Sequence, residues 1–413
     1  MIAIPRRQFL RAAAIAPLLP MLGCSSNTAN VPPDETLVPL TPASGDGINA
    51  FAFDLYGKLA DDKANRFLSP YSISTALAMT AAGSKGATRE QMAKVLHLPE
   101  DLAASGEVYR SLAAAVTGQG KPYALSVANA IWAQQGYPWA ESYLTVVKTV
   151  YHAAVNDCDF MTDAEKERLR INAWVEQQTN DKIKELLAKG ILTVSTRMVL
   201  TNAIYFKGDW AAAFKKEHTQ NQPFTNLDGS KKNVPLMYRT GGDSFTNDTV
   251  QMIRLTYKGN DLSFLAILPR KAEDFAKVEK SLTRESLATW SKGLHHDAEL
   301  QLWLPRFKVE TEYSLKEPLQ SLGMVDVFDE VRANFDGMVS TPPAGLSISA
   351  VVHKAFVDVN EAGTEAAAAT GVVFKEFSDP GEPTRFRADR PFLFAIRHEA
   401  SGALLFLGRV AKL

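Results

Sequence analysis

Seven histidines and two cysteines are the side chains that could ligate a metal or pair a nucleophile with a base, and their spacing supports neither. The sequence holds no His-Glu-x-x-His, no Cys-x-x-Cys, no Gly-x-Ser-x-Gly turn, no Gly-x-x-x-x-Gly-Lys phosphate loop and no Gly-x-Gly-x-x-Gly fingerprint. His295-His296 is a local pair, but adjacent residues point apart on most backbones and no third ligand lies near, so a solvated loop is expected there. No enzyme, metal or cofactor is expected. The chemistry that remains is conformational. Glu361-Ala-Gly-Thr-Glu-Ala-Ala-Ala-Ala-Thr370 follows a strand-like run, Val351 to Asn360. Intrinsic propensity would make its alanines helical. Yet the stretch has no apolar stripe to dock, and Gly363 with Thr364 and Thr370 weakens a helix that is already short. Read at period two, Thr364, Ala366, Ala368, Thr370, Val372 and Phe374 form one uncharged face, while Glu365 and Lys375 fall on the other. The segment reads equally as a mobile loop and as a central strand, which is the raw material of a switch between two arrangements.

The elements that must position this segment follow from periodicity. Phe51, Leu55 and Leu59 recur at helical spacing between Ile48 and Lys63, and Ala76, Leu77 and Thr80 continue such a pattern after Pro70. Arg168 to Leu187 reads as one amphipathic helix with Ile171, Trp174, Val175, Ile183 and Leu187 on one side. Strands are expected over Val127–Trp132, Met198–Phe206, Gln251–Tyr257, Leu262–Leu268, Ala298–Leu304, Leu346–Asn360, Phe392–Arg397 and Ala403–Val410. With no repeat and no Gly/Pro-rich linker after Ile48, these make a single α+β domain.

Charge and cysteine usage narrow the partners. Lys plus Arg (45) balance Asp plus Glu (46), so there is no basic field to draw nucleic acid. Cys24 and Cys158 are too few and too far apart for a disulfide framework, so stability must come from packing. Arg6-Arg7-Gln8-Phe9-Leu10-Arg11 is a twin-arginine pattern ahead of an apolar run, Ala12 to Leu22, that is too short to span a bilayer. Residues 1–23 therefore read as an export signal. Met21-Leu22-Gly23-Cys24 resembles the lipobox of bacterial lipoproteins, in which the cysteine is lipidated, and the alternative is a conventionally cut, secreted chain. Residues 24–47, rich in Pro, Ser, Thr and Asn, suit a solvated tether, with the folded part at 48–413 and the lipid as the only membrane contact.

Glu361 to Thr370 resembles the hinge of inhibitory serpins, the serine protease inhibitors. Further segments resemble that family in the same order: Asn65-Arg-Phe-Leu-Ser-Pro-Tyr-Ser-Ile-Ser74, Asn202-Ala-Ile-Tyr-Phe-Lys-Gly-Asp-Trp210, Leu304-Pro-Arg-Phe307, Ala333-Asn-Phe-Asp-Gly-Met338, His353-Lys-Ala-Phe-Val357 and Asp389-Arg-Pro-Phe-Leu-Phe394. The resemblance covers Ile48 to Leu413. It implies three β-sheets, the largest five-stranded, with about eight to nine helices and an exposed reactive-centre loop. It implies a monomer whose partner is a serine protease, held covalently after it cuts that loop. The hinge would be Glu361, Gly363, Thr364, Glu365, Ala366, Ala367, Ala368, Ala369 and Thr370. Ser69, Ser72, Asn202 and His353 match the family's buried shutter. Trp210, Arg306 and Glu361 match its breach, where an exposed ion pair would gate insertion, and Ala362 would lie on the solvent side. Counting from Glu361 as in inhibitory relatives puts the reactive bond at Phe377-Ser378. An aromatic bait suits chymotrypsin-like proteases, while the rival Lys375 would suit trypsin-like ones. Only Arg110 and Lys121 lie between Leu98 and Pro122, so no polyanion cofactor is expected. The other reading is a non-inhibitory serpin acting as a binding or carrier module.

Overall fold

A computed structural model describes residues 37–59, 63–117, 120–341, 346–364 and 383–413. Cys24, the export signal, hinge residues Glu365 to Thr370, Lys375 and the Phe377-Ser378 bond lie outside the described residues. Along the chain, helix α1 (Asp46–Tyr56) is followed by β1 (Arg66–Leu68), α2 (Pro70–Ala81), α3 (Gly86–Val95), α4 (Leu102–Thr117), β2 (Tyr123–Gln134), α5 (Glu141–Thr149), β3 (Ala154–Cys158), α6 (Phe160–Gln178) and β4 (Met198–Asp209). A mainly β stretch follows: β5 (Gln220–Thr225), β6 (Lys231–Thr246), β7 (Val250–Thr256) and β8 (Leu262–Pro269). After α7 (Phe275–Ser281) and α8 (Arg284–Lys292) come β9 (His295–Pro305), β10 (Phe307–Ser314) and α9 (Lys316–Ser321). The chain ends with β11 (Ala350–Val359), β12 (Gly363–Thr364), β13 (Arg385–Arg387), β14 (Phe392–His398) and β15 (Leu404–Val410). The architecture is α+β, with nine α-helices among the described residues.

One sheet runs β10-β11-β12-β4-β2-β3, five long strands plus the two-residue β12. The other runs β1-β15-β14-β8-β7-β6-β9-β13, with β5 on β6. β5 pairs with β6 at residues 231–236 and β7 at residues 243–246, so the long β6 joins two parts of the second sheet, and its register with β9 slips between Thr240 and Gly242. The first sheet is buried on both faces. Ile131, Leu200, Ile204 and Ala355 enter the main core, while Ala130, Trp132, Val199, Ala203 and Val352 join a second cluster with Ile171 and Val175 of α6. Strands covered on both sides read as apolar runs rather than alternations, which is why they were legible as runs.

Three expectations are corrected. The helix expected through Leu187 ends at Gln178, because Asn180 and Asp181 take positive φ of 51° and 60° and the next turn cannot form. Ile183 and Leu187 are buried as the pattern implied, but in a turn clamped by Arg168, whose Nη1 donates to the Leu187 carbonyl at 2.8 Å, and by Asn172, which donates to the same carbonyl and accepts from the Leu187 amide. His295 and His296 open β9 rather than a loop; His296 lies 3.2 Å from Asp243 Oδ1. The strand expected from Leu346 starts at Ala350. At the other end of the fold, α1 starts two residues before Ile48, where Gly45 packs so closely on Ala403 that a Cβ would stand 2.5 Å from its backbone.

Candidate functional site

The centre of the first sheet is a seam between β4 and β11, which pair in parallel from Ala350↔Val199 to Phe356↔Tyr205. Register places one polar row across it: Tyr313 opposite His353, His353 opposite Asn202, and Asn202 opposite Asn129. The N-terminus of α2 meets this row. Ser69 caps that helix by accepting from the Ser72 amide at 3.1 Å, and Pro70 occupies the first turn, where a missing N–H costs nothing.

The resulting network is closed. The Ser69 amide donates to His353 Nε2 at 3.0 Å, which leaves the imidazole proton on Nδ1 to be donated to Asn202 Oδ1. Asn202 Nδ2 donates to Ser72 Oγ and to Asn129 Oδ1, both at 2.7 Å. Ser72 Oγ donates to Asn129 Oδ1 at 3.0 Å, Asn129 Nδ2 to the Ser72 carbonyl at 3.1 Å, and Ser69 Oγ to the Leu405 carbonyl at 2.6 Å. Ser69, Ser72, Asn202 and His353 are all fully buried. Buried polar groups persist only when so paired. Burial pushes the His353 imidazole down from 6.5 to about 3, the bond to Asn202 opposing it, so the ring is neutral.

At one end of the seam the strands part. Beyond Tyr205 and Phe356 they no longer face each other, and β12 occupies the gap, antiparallel to both: Thr364 opposite Val359, and Gly363 and Thr364 opposite Asp209 and Gly208. Three hydrogen bonds tie Trp210 and Phe214 to the chain between Asn360 and Ala362. Trp210 Nε1 donates to the Asn360 carbonyl at 3.0 Å, its amide to the Ala362 carbonyl at 2.9 Å, and the Phe214 amide to the Glu361 carbonyl at 2.9 Å. Arg306 Nη2 donates to Glu361 Oε1 at 2.5 Å, and Thr219 donates to the same oxygen at 2.7 Å. The pair is not the exposed one the sequence suggested: the Glu361 side chain is 3% exposed against 45% for Arg306. Burial raises the Glu361 carboxyl, but the bonds from Arg306 and Thr219 outweigh it and hold the group below the usual carboxylate range. Ala362 is also buried rather than on the solvent side, because its amide and carbonyl are both engaged by Asn360 and Trp210.

The serpin (serine protease inhibitor) family profile matches residues 46–413. The chain is a serpin. An uncharacterized serpin-like protein from Thermococcus kodakarensis is 40% identical over 367 residues, spanning 88% of this chain and 84% of the relative. Leukocyte elastase inhibitor from Bos taurus is 41% identical over 372 residues, spanning 88% and 97%. Among solved structures, uncleaved ovalbumin superposes with a TM-score of 0.80 at 32% identity over 90% of this chain and 100% of the other. The native thermophilic serpin tengpin gives 0.81 at 28% over 89% and 93%.

Within this serpin, the four residues matched to the shutter come together, and so do the three matched to the breach. Sequence reasoning missed Asn129 and Thr219. Asn129 left a signal, a lone amide among alanines in the strand-like run Val127 to Trp132. Thr219 left none.

Proposed function

We propose that this serpin inhibits serine-type endopeptidases as a suicide substrate. The observation that carries the reading is β12, hinge residues Gly363 and Thr364, already laddered antiparallel to β4 on one side and β11 on the other. If residues up to 376 follow, one parallel ladder is exchanged for two antiparallel ones, which are somewhat stronger per residue. About a dozen residues gaining ladder bonds of roughly 0.5 to 1.5 kcal/mol each, with side-chain burial, give on the order of 10 kcal/mol. That rivals the whole stability of a protease domain, about 5 to 15 kcal/mol.

The chemistry belongs to the target. Its serine Oγ attacks the Phe377 carbonyl carbon, the peptide bond to Ser378 breaks, the new amine takes a proton, and the loop is left as an ester on the protease. Cutting frees the hinge to insert, and the protease travels with the ester. Its active site is deformed before water can reach the acyl carbon. Phe377 favours a chymotrypsin-like enzyme, since an aromatic side chain fills a deep apolar pocket. The bovine relative's description as an elastase inhibitor supports a protease target.

Incubation with chymotrypsin is expected to give an SDS-stable complex and a released fragment whose mass starts at Ser378. A fragment starting at Glu376 with trypsin would move the bait to Lys375. Clean cleavage without any complex would replace the inhibitory reading with a binding role such as that of thyroxine-binding globulin, whose complex with thyroxine shares the fold at a TM-score of 0.79 and 26% identity. We also propose that the chain is exported and tethered through a lipid on Cys24. Expressed in a bacterial host, the full chain should sediment with membranes and Cys24→Ala should not; equal distribution of the two would remove the anchor.

A further inference from the structure

Thr364 stands at the head of the hinge, and its hydroxyl does not face solvent. It shares a 2.7 Å hydrogen bond with the hydroxyl of Tyr257, and both residues are fully buried. The Tyr257 ring has little freedom. It stacks on Trp210 with centroids 4.6 Å apart and planes 20° from parallel, and Phe206 meets it edge-on at 5.0 Å and 83°. Its backbone bridges Trp210 on one side, and its amide donates to the Leu262 carbonyl at 3.0 Å on the other. Two glycines make the approach possible. A Cβ on Gly208 would stand 2.7 Å from the Phe206 ring and 3.0 Å from the Tyr257 ring, and one on Gly363 would stand 2.0 Å from the Gly208 carbonyl oxygen. The close fit brings Thr364 to a hydroxyl already aimed at it. When the hinge withdraws, that hydroxyl is left unsatisfied among aromatic rings, a state that buried polar groups avoid.

We propose that Tyr257 is a positioning residue for strand insertion, its hydroxyl latching Thr364 between β4 and β11 so that insertion extends a strand already begun. This rests on the inhibitory reading above and names the residue that sets where insertion starts. With the latch loosened, the hinge spends time outside the sheet and insertion begins later. Water then hydrolyses the acyl ester more often before the protease is displaced, releasing free protease serine and a cleaved loop with a new carboxylate.

The test compares full-length wild type with Tyr257→Phe, Thr364→Val, the double variant, and Thr364→Ser, which keeps the hydroxyl. Hydrogen–deuterium exchange of the uncut protein over residues 361–364 reads the latch without any protease. The ratio of cleaved product to SDS-stable complex with chymotrypsin reads its consequence. Both single variants should speed exchange and raise that ratio about three- to tenfold, as befits one buried hydrogen bond. The double variant should be no worse than either single, and Thr364→Ser should match wild type. Unchanged exchange and ratio in both singles, or effects that add in the double variant, would overturn the latch. If wild type itself gives no complex, the inhibitory reading fails, while the exchange measurement still decides the latch.

Discussion

His353 shows how a single side chain can be both ordinary and critical. Its neutral ring accepts from Ser69 on one side and donates to Asn202 on the other, bridging helix α2 to the seam. The folded-state value of about 3 lies below the 6.5 of an unperturbed ring. Between those values the unfolded chain binds a proton that the folded one refuses, so stability rises with pH across that window, by up to about 1.4 kcal/mol per pH unit, and this contribution is flat above pH 7. Urea midpoints from pH 4.5 to 7 should therefore fall steeply on acidification in wild type and less steeply in His353→Gln; equal slopes would remove His353 as the source. At this scale the sequence was informative only where residue order matched a family pattern. Ser69, Ser72, Asn202 and His353 are ordinary as isolated letters, a cap, a hydroxyl, an amide and an imidazole. Asn129 accepts from both Asn202 and Ser72 and still escaped notice, because cross-strand register, not local pattern, brings it to the row. Glu361 and Ala362 were judged solvent-facing for the same reason: burial there is imposed by Trp210, Phe214 and Arg306, all distant in sequence.

Strand β12 would set the phase of any strand that continues it. Thr364 points into the core, so a continuing strand would send Ala366, Ala368, Thr370, Val372 and Phe374 to the same side and Glu365 to the other. Ala368→Glu would carry a charge into the sheet interior, at a cost of several kcal/mol. The variant should be cut by chymotrypsin at the wild-type rate yet give at least about tenfold less complex; complex at unchanged stoichiometry would refute insertion. Of the period-two face only Thr364 lies among the described residues, where it is buried. Fully buried strands were legible as apolar runs. Elements with mixed exposure were not. Strand β5 is mostly solvent-facing, β10 alternates between buried and exposed positions, and neither formed the apolar run that marked β4 or β8. The α6 error has a similar root. Helical periodicity persisted through Leu187 because the turn after Thr179 also buries its apolar residues, and only the backbone at Asn180 and Asp181 betrays the break.

For the molecule as a whole, the expected signature of insertion is thermal. If severing the loop lets the hinge fill the seam, a gain on the order of 10 kcal/mol should raise the midpoint of unfolding by about 10 to 15 °C in a domain of this size. Calorimetry on intact and chymotrypsin-cut protein would show it, and equal midpoints would end the mechanical account. The fold itself was readable in outline because motifs spread over the whole chain appeared in serpin order, a long-range constraint that no local pattern supplies. The register slip between Thr240 and Gly242 was not readable, since it depends on how β6 meets β9. The parallel seam also bears on how the chain reaches this shape. Asn202 and His353 are 151 positions apart, whereas β12 folds back on β11 within a few residues. Closing the distant contact is entropically harder and slower than closing the near one. If the downstream residues take the seam as proposed, the nascent chain must join β4 to β11 before they can do so; the working conformation would then be won by timing, and each molecule could leave it only once.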